Sequence, residues 1–364
     1  MRPALSAALV LALAGPAAAD TPKAAGLTPQ EVADGWLMLF DGETAFGWKV
    51  DGAAEVKDGT LVLGKGKKTV AYPTSRFGTS FEYTLELAGT GTVVSPKGRS
   101  TFNAPPDGVW ATVRYSQSPT GSSGSATGGG PSQTTAGQPS TRPELAAAPF
   151  LIETDGTTPV RVRLAKLKPG GAAPLFNGKD LTGWKVFADP KRSATKFEVT
   201  KDGELSAKNG PGDLQTEKAF GNFVFQMECK TNGKWLNSGV FFRCMPDQYQ
   251  NGYEAQIQNG YIGEDRIKPV DFGTGAIYRR VPARKVVSND NEWFTLTVLA
   301  DGPHIATWVN GYQTVDWTDD RKANDNPRQG LRTAPGHLSL QGHDPTTDLL
   351  FRRIRIAELG EGRK

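Results

Sequence analysis

Apolar and polar residues alternate with a period of two through much of the second half of the chain, the mark of strands with one buried face. In 222–229 the apolar set is Phe223, Phe225, Met227 and Cys229. In 237–244 one face holds Ser238, Val240, Phe242 and Cys244, and the other Asn237, Gly239, Phe241 and Arg243. Tyr253, Ala255 and Ile257 alternate with Glu254, Gln256 and Gln258, and Leu338 and Leu340 alternate with His337, Ser339, Gln341 and His343. Residues 293–300 and 305–309 read as further strands, and Asn310-Gly311 is a hairpin signal. Long helical periodicity is absent. The pattern predicts an all-β fold of two antiparallel sheets packed face to face.

The strand pattern occurs twice. Residues 39–50 read LFDGETAFGWKV and 175–186 read LFNGKDLTGWKV. Lys57-Asp58-Gly59 with Leu61 matches Lys201-Asp202-Gly203 with Leu205, and Phe77-Gly78 matches Phe220-Gly221. Residues 160–167 resemble 351–359. The order of the matches implies a duplication, with one sandwich over 36–168, a linker at 169–173 and a second sandwich over 174–358, followed by a tail at 359–364. The first copy lacks most of the unusual polar residues of the second. It also carries a Ser/Gly/Thr/Pro-rich run near 116–143 with no hydrophobic pattern, which reads as a disordered loop. Copy one thus reads as a scaffold that kept the fold and lost the site.

Composition narrows the class. The 364 residues allow two domains, and 43 Gly with 25 Pro suit short strands and many turns. A net charge of +4 without a basic cluster gives no footprint for nucleic acid. Arg2, an apolar run over 4–14 and Ala17-Ala18-Ala19 before Asp20 have the form of a signal peptide over 1–19, leaving 20–35 as an N-terminal segment. The expectation is an exported protein, periplasmic or extracellular, with no membrane span after signal cleavage. Cys229 and Cys244 have no metal-ligand spacing, and their pairing is open.

Several outward faces are richer than solvation requires. Arg243, Glu254, Gln256, Gln341 and His343 would line one groove if their strands are neighbours. Amides and planar cations suit sugar hydroxyls, which both donate and accept. A base beside a cation suits proton abstraction with oxyanion stabilisation. Each residue also has a plain structural use, such as a cross-strand Glu254–Arg243 pair. Tyr278 and Lys268 flank a Gly-rich loop at 272–276 that either rims a pocket or only turns the chain.

LFNGKDLTGW (175–184), NSGVFFR (237–243), GYEAQIQ (252–258), TGAIY (274–278), NEWFTLTV (291–298), WVNG (308–311), LSLQGH (338–343) and FRRIRI (351–356) together resemble the 3-keto-disaccharide hydrolase family. The resemblance covers nearly all of 174–358, and copy one shares it only at its ends. It implies two concanavalin A-like antiparallel jelly-roll sandwiches in tandem. It also implies cleavage of glycosides oxidised at C3, by removal of the C2 proton, loss of the C1 substituent and addition of water. On that basis Glu254 or His343 is the expected base and Arg243 the oxyanion partner, with Gln256, Gln341, Asn237, Tyr278 and Lys268 around a carbohydrate substrate. A divalent metal on His343 and a carboxylate would have a thin donor set and stays open. The alternative function is a non-catalytic, lectin-like carbohydrate-binding module, since the fold alone does not decide. A glycosidase for unoxidised sugars or a purely structural surface protein are further alternatives.

Overall fold

A computed structural model describes residues 26–104, 108–128, 133–136 and 148–361. The proposed signal peptide lies outside the described residues. The described residues are all-β apart from one short helix, Pro29–Asp34, whose first turn is closed by a capping box between Thr28 and Glu31.

The second half is a two-layer sandwich. One layer has eight strands, with the order 196–199, 205–208, 348–358, 223–231, 294–301, 304–309 and 312–318, and with 173–174 paired to 348–358. The other has five, ordered 184–186, 212–220, 336–342, 238–244 and 253–257. The predicted alternation supplies the core between them. Phe223, Phe225, Met227 and Cys229 from one layer meet Val240, Phe242, Tyr253, Ala255, Leu338 and Leu340 from the other. Both cysteines are buried and free.

The first half forms a second jelly-roll core around Leu61, Tyr83, Leu85, Phe102, Val113 and Phe150. Its long strand, Phe81–Ser95, serves both layers. The first part pairs with 160–169 and 111–118, and the last part with 98–104 and 151–154. The bend falls at Gly89, where φ is +95° and a Cβ would lie 2.0 Å from the Pro159 carbonyl oxygen, so only glycine fits.

The run expected to be a disordered loop near 116–143 is in part regular. Ala111–Ser118 and Gly121–Thr127 form a hairpin, and Gln133–Ala136 pairs with 98–104. Strand 121–127 buries no side chain, so its ladder of backbone hydrogen bonds holds it, and no hydrophobic pattern could announce it.

The two halves pack directly on one another. The outward residues Val224, Leu299, Ala306 and Trp308 of the eight-stranded layer join the core of the first half. Burying a side chain as large as Trp308 contributes roughly 2–3 kcal/mol. Polar contacts frame this apolar patch. Trp308 Nε1 donates to Met38 O, Arg76 is paired with Asp301, and the Arg284 guanidinium is paired with Asp41. Arg284 also donates to the Gln313 carbonyl at 2.8 Å and stacks on Phe46 and Tyr312. The first half therefore occupies the outer face of one layer and leaves the opposite, five-stranded layer to other uses. Asp41→Ala should strand the Arg284 charge in this contact and lower the unfolding free energy by about 2 kcal/mol, measured by urea titration of the whole chain.

Candidate active site

The five-stranded layer has an inner, apolar face and an outer face that is polar yet buried. In register across four strands lie Gln215, Ser339, Phe241 and Glu254. One step along the strands, Asp213 pairs with Gln341 and Gly239 pairs with Gln256. Each alternates with a core residue, Leu214, Leu340, Val240 or Ala255. Asp213 is 0% exposed, Gln215 and Gln256 1%, Gln341 4% and Glu254 8%.

Buried polar atoms ordinarily find partners. Gln215 Nε2, Gln256 Oε1 and Gln341 Oε1 have none. With the Ser339 hydroxyl and Asp213 Oδ2, which are also unpartnered, they leave unused donors and acceptors on a single face, which a polyhydroxylated ligand would satisfy. Other polar atoms on this face are firmly held. Gln256 Nε2 donates to the Asp271 carboxylate at 3.1 Å, and Asn237 Nδ2 donates to the same oxygen at 2.8 Å. Gln250 Nε2 donates to Asp213 at 3.0 Å.

Two carboxyl groups on this face are displaced upward to different extents. Burial pushes Glu254 up to about 8, against the pull of Arg328 and with help from Asp271 and Asp213. Burial also raises Asp213, to about 6, against the bond it receives from Gln250. The Glu254 carboxyl lies above the backbone of Gly239, where a Cβ would come within 2.6 Å of Oε1. Glycine at 239 makes the room that this carboxyl occupies.

The structure brings together five of the residues singled out in the sequence. Glu254, Gln256 and Gln341 share the polar face, and Asn237 joins it through Asp271. Tyr278 donates its backbone N–H to the Glu254 carbonyl at 2.9 Å and stands edge-on to Phe272. Lys268 is different, being exposed and paired with Asp265 at 2.9 Å.

Arg243 is not on this face. The ladder shifts register between Phe241 and Cys244, and Arg243 takes a φ of +51° in that bulge, which turns its side chain away. Its guanidinium is fully buried and donates to the carbonyls of Gly221, Gly302 and Arg332 and to Asn222 Oδ1. With every donor group committed to the protein, it cannot receive an oxyanion. No cross-strand Glu254–Arg243 pair forms.

His343 also departs from the expectation. The strand ends at Gly342, and His343 sits on an exposed turn with its Nδ1 bonded to Asp344 at 2.8 Å. Among the described residues no group of three or more His, Cys, Asp or Glu could hold a metal ion. The one carboxylate bonded to His343 is that neighbouring, half-exposed Asp344.

Asp213 and Gln215 escaped the sequence reading. Their signal was the alternation Asp213-Leu214-Gln215-Thr216, cut short by a register shift between Gln215 and Ala219.

The site is a recessed polar face on one layer of an all-β jelly-roll sandwich. Residues 171–357, just over half of the chain, match the family described as the 3-keto-alpha-glucoside-1,2-lyase-like domain. The chain belongs to that family. Among solved structures, one from Parabacteroides distasonis, named as a candidate glycosyl hydrolase, is 25% identical, with 52% of this chain and 94% of that one covered and a TM-score of 0.42. A Bacillus licheniformis β-glucanase is 15% identical over 52% of this chain and 100% of its own, with a TM-score of 0.35. A carbohydrate-binding module of Bacillus subtilis is 15% identical over 48% and 96%, with a TM-score of 0.33. No curated protein matches the chain.

Arg243→Lys should destabilise the fold, because one ammonium cannot span four separated acceptors. A loss of roughly 3 kcal/mol is expected in chemical denaturation.

Proposed function

We propose that this protein cleaves 3-keto-glycosides by elimination across C1–C2 followed by addition of water. The observation that carries the reading is the pair of carboxyls held at different acidities on a face of unsatisfied amide atoms. Environments that push two acids apart assign their roles. Asp213, ionised at neutral pH, is the base, and Glu254, still protonated there, is the acid.

A ketone at C3 acidifies the C2 hydrogen. Asp213 takes that proton, and the electron pair moves into the C2–C3 bond to leave an enolate on O3. Gln215 Nε2 is an unused donor that would stabilise this charge. The enolate collapses back to the ketone, a C1–C2 double bond forms, and the C1–O bond breaks. The departing oxygen accepts the Glu254 proton. Water then adds at C1, giving a proton to Glu254, while Asp213 gives its proton to C2, so both carboxyls are reset and the net change is hydrolysis. Gln256 and Gln341 would receive ring hydroxyls.

The spacing supports these roles. Glu254 reaches back over Gly239, whose strand stands two steps from that of Asp213, or about 10 Å at strand spacing before either side chain extends inward. That gap is of sugar-ring size. The same two carboxyls would serve a conventional glycosidase, so the substrate has to separate the readings. Residues 1–19 would direct export, and the first half, as a duplicate without this polar face, would act as a docking platform.

The deciding experiment supplies a 3-keto-disaccharide and its unoxidised parent, follows free sugar, and repeats the reaction in D2O. Release from the keto sugar alone, with deuterium at C2 of the product, is expected. Release from the parent would move the protein to the conventional glycosidases, and binding without release to the lectins. Asp213→Asn should abolish both release and exchange. Glu254→Gln should slow disaccharide cleavage by about 100-fold yet spare a keto-glycoside with an acidic phenol as leaving group, which needs no proton.

The pH profile follows from the same assignment. The base must be ionised, so kcat/KM should rise through about 6, and the acid must be protonated, so it should fall above about 8. A flat profile across that range would remove both roles.

A further inference from the structure

We propose that the cleft beside Glu254 is an anion subsite, and that the sugar or aglycone leaving from C1 carries a carboxylate, sulfate or phosphate. The inference rests on the catalytic reading above and names the chemistry of its leaving group. The cleft has a volume of about 90 Å³ and is lined by Glu254, Tyr278, Arg279, Arg280 and Arg328 among others. That is room for a small anionic group.

Three guanidinium groups converge there, and among the described residues none forms an ion pair with a carboxylate. Arg280 and Arg328 donate only to main-chain oxygens, those of Arg279, Arg328 and Gln250. Arg279 lies over the Tyr278 ring, 5.3 Å from its centre. The acids nearby are engaged elsewhere. Asp319 is held by Arg321 and by the Tyr253 hydroxyl, and Asp213 by Gln250. Glu254 itself is neutral at pH 7, since burial raises it to about 8. The cleft therefore carries a net positive charge, offset only in part by Asp319 near Arg280. Crowding has a visible cost, because burial and the neighbouring Arg321 and Arg328 depress the Arg280 guanidinium.

Backbone geometry points the same way. Arg279 stands at φ +58° in a tight turn closed by the Ile277 and Val281 bonds. A non-glycine residue in that region costs on the order of 1 kcal/mol, and such strain gathers where a side chain is needed. Guanidinium pairs bind carboxylate, sulfate and phosphate oxygens through parallel N–H bonds. An anion seated here would place the leaving oxygen of an attached sugar next to the acid that must protonate it.

The test compares four keto-disaccharides that share the 3-keto-glucosyl half. Their second residues are glucose, glucuronate, glucose 6-sulfate and glucose 6-phosphate. At least one anionic substrate should exceed the glucose one in kcat/KM by roughly ten-fold at low ionic strength, with the advantage shrinking as salt is added. Arg279→Ala and Arg280→Ala should cost the anionic substrate several-fold more than the neutral one. The ranking of the three anions identifies the group. Equal rates for all four would overturn the subsite while leaving the catalytic reading intact. If no keto-disaccharide is cleaved, the catalytic reading fails, and calorimetry with free glucuronate, glucose 6-sulfate, glucose 6-phosphate and glucose decides the subsite alone. Binding of an anionic sugar that is lost in Arg280→Ala would sustain it, and absence of binding by all four would end it.

Discussion

The five-stranded layer is out of water on both faces, and only one of them is apolar. That constraint shapes everything else in the second half. An inner face of Val240, Leu338, Leu340 and Ala255 is ordinary hydrophobic core. An outer face of Asp213, Gln215, Glu254, Gln256 and Gln341 must find hydrogen bonds in a dry setting or keep some unmade. Three amide atoms keep theirs unmade, at roughly 1–3 kcal/mol each. A fold tolerates that expense where a ligand restores the missing bonds. The same dryness lifts the carboxyls, so one physical cause produces both the binding capacity and the separated acidities.

The opposite layer solves the converse problem. Its outer face carries Val224, Leu299, Ala306 and Trp308, which would be an exposed apolar patch if the second half stood alone. The first half covers it. The indole N–H of Trp48 bonds the Leu39 carbonyl, and that of Trp184 bonds the Leu175 carbonyl, each nine residues back. The motif found twice in the sequence thus performs one local task in both halves, pinning a strand entry. In the first half its Asp41 also turns outward to hold Arg284. Arg284 belongs to the segment that returns after residues 274–278, which bond alongside strand 253–257 and its Glu254 and Gln256. Through that segment the docked half supports the edge of the polar face without contributing a residue to it.

Much of this was legible in the sequence, and the exceptions have specific causes. Period-two alternation identified the core strands and placed Glu254, Gln256 and Gln341 on one face, because those stretches are regular. Alternation failed where the ladder was irregular. Arg243 belonged to the polar face by parity until a bulge with a positive φ turned it into a buried clamp. His343 followed Gln341 in parity, but the strand had already ended. Asp213 and Gln215 lay in a strand interrupted by a shift and so offered only four alternating residues. Strand 121–127 had no buried side chain to betray it. Parity is a property of uninterrupted pairing, and functional rims are where pairing is interrupted.

The loss of Arg243 from the site changes the chemistry that can be argued. A cation near the enolate would have allowed almost any base to act. On the proposed route the charge formed at O3 would be carried by neutral donors, and Gln215 Nε2 and the Ser339 hydroxyl are unused on this face. Neutral donors stabilise an oxyanion less than a guanidinium does in bulk water, but in a buried site the same hydrogen bond is worth more, because no solvent competes and the dipole is already oriented. On that route dryness would substitute for charge at O3. The position of the arginines at the rim would suit that route: a cation on the enolate side would pull Asp213 down and weaken it as a base, whereas beside Glu254 the same charge would lie next to the leaving group.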